Sequence, residues 1–190
     1  YAAKALETLP LDALILNAGA YAVPRFITSS GYDNVFQINF AAPYYLMRLL
    51  APHLATRGGR VVLVGSIAHN YAKTDPSDVD FRTRKKASLV YGNAKRYLMY
   101  ALHELFRNEE QATLAIAHPG ITFTNITAHY PPLLFALIKH PMKIIFMKPK
   151  KAALSVVRGV CQASDYRTWI GPVLFDVWGM RRVKPLRTAT

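Results

Sequence analysis

The sequence predicts an α/β fold built on a parallel sheet, and three observations lead there. Short, nearly continuous apolar runs recur along the chain, each ends in a turn signal, and longer stretches of helical periodicity lie between them. Strands buried on both faces read as unbroken apolar runs, and joining parallel strands requires crossover helices, so this alternation implies right-handed crossovers with helices on both faces.

In chain order, the first strand is expected over Leu11-Asp12-Ala13-Leu14-Ile15-Leu16, stopping at Asn17-Ala18-Gly19. A helix is expected from Asp33 to Leu54, where Val35, Ile38, Ala42, Leu46 and Leu49 recur at three- and four-residue spacing. Arg60-Val61-Val62-Leu63-Val64-Gly65 is rich in β-branched residues and reads as the second strand. Ala94, Leu98, Ala101, Leu102 and Leu105 mark a helix within Ser88 to Arg107. Ala112 to Ala117 gives the third strand, stopped by Pro119-Gly120. A helix from Lys151 to Gln162 and a weaker strand over Trp169-Ile170-Gly171-Pro172-Val173-Leu174 complete the series.

Composition bounds the rest. With 190 residues, 52% hydrophobic and 18% charged, the chain suits one domain with a sizeable core and is not of the disordered class. The single cysteine, Cys161, excludes an internal disulfide framework and fits a reducing compartment, with burial as the expected role for its thiol. No run reaches the ~18 apolar residues of a membrane span, and Tyr1 to Pro10 lack the features of a signal peptide. The six histidines show no metal-ligand spacing, so no metal is expected. The net charge of +13 comes from local clusters, among them Arg82, Arg84, Lys85 and Lys86, then Lys148, Lys150 and Lys151, then Arg181, Arg182, Lys184 and Arg187. It reads as a solvated surface or an excess balanced elsewhere. No nucleic-acid motif accompanies it.

The chemistry centres on Tyr91 and Lys95, which share one face of a predicted helix. A free phenol is a poor base at neutral pH. A nearby ammonium stabilises the phenolate and readies it for proton exchange with an alcohol or a carbonyl. Ser66 closes the second strand, where side chains face the ligand crevice of an open α/β sheet and a hydroxyl can hydrogen-bond a reacting oxygen. Asn39 lies within a helix at the centre of its apolar face, either as a satisfied structural amide or as a holder of water. His69 is expected in a surface loop and His118 in a structural role at a strand end.

The set Asn17-Ala18-Gly19, Asn39, Ser66, Tyr91-Gly92-Asn93-Ala94-Lys95 and His118-Pro119-Gly120 strongly resembles the short-chain dehydrogenase/reductases, each element in order and in the expected strand or helix. The resemblance implies a Rossmann-type doubly wound parallel sheet and an NAD(P)-dependent oxidoreductase, with NADP favoured over NAD. It implies Tyr91 as general acid/base, and Lys95 as the group that lowers its pKa and binds the nicotinamide ribose. Ser66 would orient the reacting oxygen, and Asn39 would hold a relay water. Asn17, Ala18 and Gly19 would lie against the cofactor, with Pro119, Gly120 and Ile121 beside the nicotinamide and Thr124 on its carboxamide. Hydride chemistry belongs to the cofactor.

Ser66 and Tyr91 stand 25 positions apart. The insertion between them, with Ala68-His69 and Asp78-Val79-Asp80-Phe81, and the late Trp178-Gly179 resemble the retinol dehydrogenase-like branch, whose members act on lipophilic alcohols and carbonyls such as retinoids or steroids. The whole of 1–190 reads as one partial domain, with a segment at approximately 125–150 expected to cover the substrate and able to touch a membrane. Asn125-Ile126-Thr127 matches a glycosylation sequon, taken as chance.

One departure is plain: nothing matches Thr-Gly-x-x-x-Gly-x-Gly, nor the residue that would select between NAD and NADP. Strands 1–3 of the family sheet and their helices are therefore expected to be missing, on the order of 70 residues if a βαβ unit takes about 30 or more. The sheet would then have an exposed apolar edge and no helix N-terminus for the pyrophosphate. The functional reading divides accordingly. It is an alcohol/carbonyl oxidoreductase, or a non-catalytic truncated module, or less favourably an epimerase using the same Tyr-Lys pair. A small-molecule substrate, a homo-oligomer and a cytoplasmic, possibly membrane-associated, location complete the expectations.

Overall fold

The computed structural model describes residues 2–71, 73–121 and 147–187. Four strands, β1 (Ala13–Leu16), β2 (Arg60–Val64), β3 (Thr113–Ala117) and β4 (Thr168–Leu174), follow one another side by side and in parallel. A fifth, β5 (Trp178–Pro185), turns back antiparallel on β4. The four expected strands are present. β5 had no apolar signature to announce it, since its exposed and half-buried residues include Arg181, Arg182 and Lys184.

Helix α1 (Ala2–Glu7) precedes β1. Between β1 and β2 the chain forms α2 (Asn34–Phe36), a π turn (Gln37–Ala41) and α3 (Ala42–Ala55) as one continuous helical stretch. Asp33 caps its start by accepting from the amides of Val35 and Phe36. The π turn corrects the expected register. Beyond it the buried face is Met47, Leu50 and Leu54, whereas Ile38 and Leu49, placed on the core face by simple periodicity, are exposed. A π turn inserts an extra residue into the helical repeat and so rotates everything after it.

Helix α4 (Ala87–Leu105) buries Ala94, Leu98, Met99 and Leu102. Together with Met47, Leu50 and Leu54 of α3 they cover one face of the sheet at Val61, Leu63, Leu114 and Ile116. Helix α5 (Pro149–Cys161) covers the other face at Val62, Ala115, Ala117 and Ile170. It approaches closely because Gly159 lacks a Cβ, which would stand 2.9 Å from Val62 Cγ1. Successive residues of β2 thus serve opposite layers, which is the doubly wound arrangement.

Two smaller expectations change. Cys161 is exposed at the end of α5 rather than buried. The proposed substrate-covering segment, Thr124 and the sequon Asn125 to Thr127 lie outside the described residues, and Pro149 already belongs to α5.

Candidate active site

The carboxyl ends of β1, β2 and β3 open on the same side of the parallel sheet, and the sequence-predicted residues gather there. Ser66 follows β2 in an extended conformation and caps a 3-10 turn (Ile67–Asn70), its hydroxyl accepting from the Ala68 amide at 3.2 Å. That turn rests on α4: a Cβ on Gly92 would collide with the Ala68 carbonyl oxygen. Glycine at the position after Tyr91 therefore lets the Ser66 turn meet the helix directly. Ser66 acts on the Tyr91 phenol, lowering its pKa against the effect of burial.

Tyr91 and Lys95 share one face of α4, as their spacing implied. The Lys95 ammonium lies 5.8 Å from the Tyr91 ring centroid and donates to the Val64 carbonyl at 3.2 Å. Lys95 is 3% exposed, and burial pushes its pKa down to about 8. Burial also raises the Tyr91 phenol above its ordinary value; the Ser66 hydrogen bond lowers it and nearby Tyr71 raises it. The expected lowering by Lys95 is thus not the governing effect here. The cation lies against the ring, and desolvation of the buried phenolate is the larger effect. Tyr21 packs edge-on against the Tyr91 ring at 5.3 Å.

Asn39 sits in the π turn, fully buried. Its amide nitrogen donates to the carbonyls of Ala20 and Val35 at 2.8 Å each, and its oxygen accepts from the Ala20 amide at 3.2 Å. Asn39 therefore clamps the loop after β1. A Cβ on Gly19 would lie 2.8 Å from Asn39 Oδ1 and 3.4 Å from Lys95 Nζ, so all three residues border one space. Asn17, Ala18 and Gly19 are exposed at the open end of β1.

On the other side, His118 and Gly120 are buried, and Pro119 and Ile121 are half-buried. Gly120 has φ +86°, and a Cβ there would fall 2.7 Å from the Val177 carbonyl oxygen. His118 stacks on Trp169 at 4.8 Å and bonds the Asp176 carbonyl at 2.9 Å, and burial pushes its pKa down to about 4. This fits the structural role expected of it. His69 overturns its expectation: it is fully buried, not in a surface loop. Both its ring nitrogens contact backbone carbonyls, and a partner as distant in sequence as Arg187 leaves no local signal.

The insertion between Ser66 and α4 is a wall, fixed by polar contacts that sequence reasoning missed. Phe81 packs with Val35 and Val90, and Asn93 donates to the Val79 carbonyl at 2.7 Å. Burial raises the Asp80 carboxyl, but bonds from Arg82 and the Asp33 amide overcome this and hold it below the usual range. Arg25 pairs with Asp33 at 2.7 Å and reaches the Phe81 carbonyl at 3.0 Å, stitching the loop after β1 to the insertion. Among the described residues, no group of three His, Cys, Asp or Glu could hold a metal ion.

The arrangement can exchange a proton with a substrate oxygen and can present an ammonium to a neighbouring hydroxyl or phosphate-bearing group. A nicotinamide cofactor fits this half of the crevice. The ammonium carries three donors, more than the Val64 carbonyl uses. Gly19 keeps the backbone beside it free of a side chain. The chain has no glycine-rich turn to hold the pyrophosphate.

Comparison with known proteins agrees with this geometry. The family profile of short chain dehydrogenases matches residues 1–77. Polyprenol dehydrogenase of Mus musculus is 29% identical over 158 residues, covering 78% of this chain and 47% of that protein. Retinol dehydrogenase 13 of Homo sapiens is 28% identical over 158 residues, covering 74% and 48%. The chain thus spans about half the length of the curated relatives it matches. Among solved structures, an uncharacterized protein from Mycobacterium Paratuberculosis superposes with a TM-score of 0.61 at 22% identity, over 96% of this chain and 61% of that one. The alcohol dehydrogenase from the archaeon Thermococcus sibiricus complexed with 5-hydroxy-NADP gives 0.57 at 16% identity, over 94% and 66%. These two likenesses speak to the fold. Motifs, sheet order and relatives point the same way: the chain is similar to the short-chain dehydrogenase/reductases, with retinol dehydrogenases among its relatives.

Proposed function

We propose that the protein interconverts an alcohol and a carbonyl on a lipophilic small molecule, using a nicotinamide cofactor, with NADP preferred to NAD. The observation that carries this reading is the junction of Ser66, Tyr91 and Lys95 in one crevice, with the hydroxyl lowering the phenol's pKa and the ammonium against its ring. The cofactor, when bound, supplies or accepts the hydride. The Tyr91 hydroxyl gives its proton to the substrate oxygen in reduction and takes it back in oxidation. Ser66 donates to the same oxygen and holds it beside the phenol. Lys95 stabilises the phenolate and hydrogen-bonds the cofactor's ribose. Asn39 Oδ1 retains a lone pair beside Gly19 and holds the water that reprotonates Lys95. The net charge of +13 supports a ligand with an extra phosphate.

A second copy of the chain is the proposed occupant of the exposed stripe Ile38, Tyr45 and Leu49, which leaves three large apolar side chains in solvent. A cytoplasmic location with contact to membrane surfaces is supported by the free, exposed Cys161 thiol and by Phe175 and Met180 standing exposed beside Arg181 and Arg182. The deciding experiment is fluorescence titration of NADPH and NADH against the chain, and against a form extended upstream by the glycine-rich segment of the family. Binding by the extended form, with NADPH the tighter, is the expected result. Failure to bind either nucleotide removes the oxidoreductase reading in favour of a non-catalytic module. Cofactor recycling with no net absorbance change would instead identify an epimerase.

A further inference from the structure

His69 lies three residues after Ser66, in the 3-10 turn that Ser66 caps, and its ring is fully buried. Nδ1 stands 2.6 Å from the Ser66 carbonyl oxygen and Nε2 stands 2.9 Å from the Arg187 carbonyl oxygen. The His69 backbone amide donates to the same Ser66 carbonyl at 3.2 Å. Trp169 of β4 meets the ring edge-to-face at 5.2 Å. Each ring nitrogen therefore has a backbone carbonyl oxygen as its neighbour.

The imidazole thus ties the backbone of Ser66 to the chain just beyond β5. That anchor is itself fixed: Leu186 is buried and donates to the Arg167 carbonyl at 2.8 Å. On its other side the turn presses on Gly92 of α4, one residue beyond Tyr91. The turn carrying Ser66 is therefore gripped between the helix of the proton-transfer pair and the closing strand of the sheet. We propose that His69 is a positioning residue for the Ser66 hydroxyl, joining the chain just beyond β5 to the proton-transfer site through the contacts of its two ring nitrogens. The inference rests on the reading of Ser66 and Tyr91 as partners in proton transfer, and its test separates the two.

The test uses His69→Phe, which keeps a flat buried ring but no donors, beside Ser66→Ala and the unaltered protein. Tyr91 is labelled in its ring carbons, and its ionisation is followed by NMR as pH rises. Because Ser66 lowers the phenol's titration against burial, Ser66→Ala is expected to move it up. His69→Phe is expected to move it up by at least half as much. A shift in Ser66→Ala without one in His69→Phe overturns the assignment of His69 and leaves the proposed function standing. No shift in Ser66→Ala overturns the Ser66–Tyr91 pairing, and the inference with it. In an active, cofactor-loaded form, His69→Phe is expected to lower kcat about 10- to 100-fold, the scale of a misplaced catalytic group, with nucleotide affinity unchanged. An unchanged kcat overturns the proposal. Should His69→Phe not fold, His69→Gln, with one amide donor group, takes its place and is expected to give a smaller shift of the same sign.

Discussion

The two ends of the sheet are finished in different ways. At the β4 end the chain folds back as β5, and His118, Trp169 and His69 form a buried aromatic column. Lys184 pairs with Asp176, and its ammonium lies 5.6 Å from the centre of the Trp169 ring. At the β1 end no described strand pairs with the outer edge, Ile15 is 44% exposed, and Asn17 to Gly19 stand open. The residues proposed for proton transfer lie between, on α4 and in the turn after β2, and that turn reaches the closed end through His69. The closed side fixes the acid/base groups by packing and hydrogen bonds, whereas the open side offers backbone and space for a ligand. The difference leaves the backbone at Gly19 uncovered beside Asn39 and Lys95, while Gly120 on the opposite side is packed in.

Substitution at the closed end tests its rigidity most severely. Gly120→Ala places a methyl 2.7 Å from the Val177 carbonyl oxygen at φ +86°. Backbone strain and overpacking act together, and the expected loss of stability exceeds about 3 kcal/mol, measured by urea unfolding. A loss below 1 kcal/mol would show that the β4–β5 hairpin yields easily and is not a fixed wall.

Tyr91→Phe separates chemistry from binding. In a cofactor-competent form, turnover should fall by at least about 100-fold, the usual contribution of a general acid/base, with nucleotide affinity little changed. Near-normal turnover would remove Tyr91 from its role. The ring contact with Tyr21 survives this change, so stability should hardly move.

Lys95→Met asks what the buried ammonium costs the fold. The folded pKa of about 8 lies below the free value of 10.5, so the folded state holds this proton less tightly than the unfolded chain. Stability of the unaltered protein therefore rises with pH between about 8 and 10.5, and a constant penalty remains below 8. That penalty is on the order of 3 kcal/mol. Allowing about 1 kcal/mol for the lost bond to Val64, Lys95→Met should be more stable by about 2 kcal/mol at pH 7, with the gain gone by pH 10.5. Equal stability of the two forms at pH 7 would mean that the ammonium finds compensation within the site. A residue kept at such a cost to folding is kept for what it does there.

The same contrast explains what the sequence could reveal. The strands and α4 were legible because local apolar runs and four-residue spacing determine them, whereas Tyr91, Lys95 and Ser66 were singled out by the resemblance to a family and not by that spacing alone. The π turn at Asn39 was not, because its extra residue is set by the clamp on Ala20 rather than by neighbours in sequence. β5 escaped because its support is the hairpin with β4, and a strand carrying Arg181, Arg182 and Lys184 has no apolar alternation to read. His69 looked like a loop residue for the same reason: the carbonyl that buries it lies 118 positions away. Long-range closure is what sequence patterns conceal, and the closed end of the sheet is made of it.

The open edge provides the smallest expected effect and the sharpest contrast. Ile15→Thr keeps the β-branched shape that suits a strand and removes apolar surface that is already half in water. In this chain the change should alter stability by no more than about 0.5 kcal/mol, the usual scale for a surface site. In a longer protein that supplies the strand expected beside β1, Ile15 would be covered, and the same change should cost about 1–2 kcal/mol because a hydroxyl then replaces buried hydrocarbon. Equal effects in the two forms would mean that the edge is not the seam where the cofactor-binding half attaches. A larger cost in the extended form locates that seam at β1, beside the exposed Asn17 to Gly19.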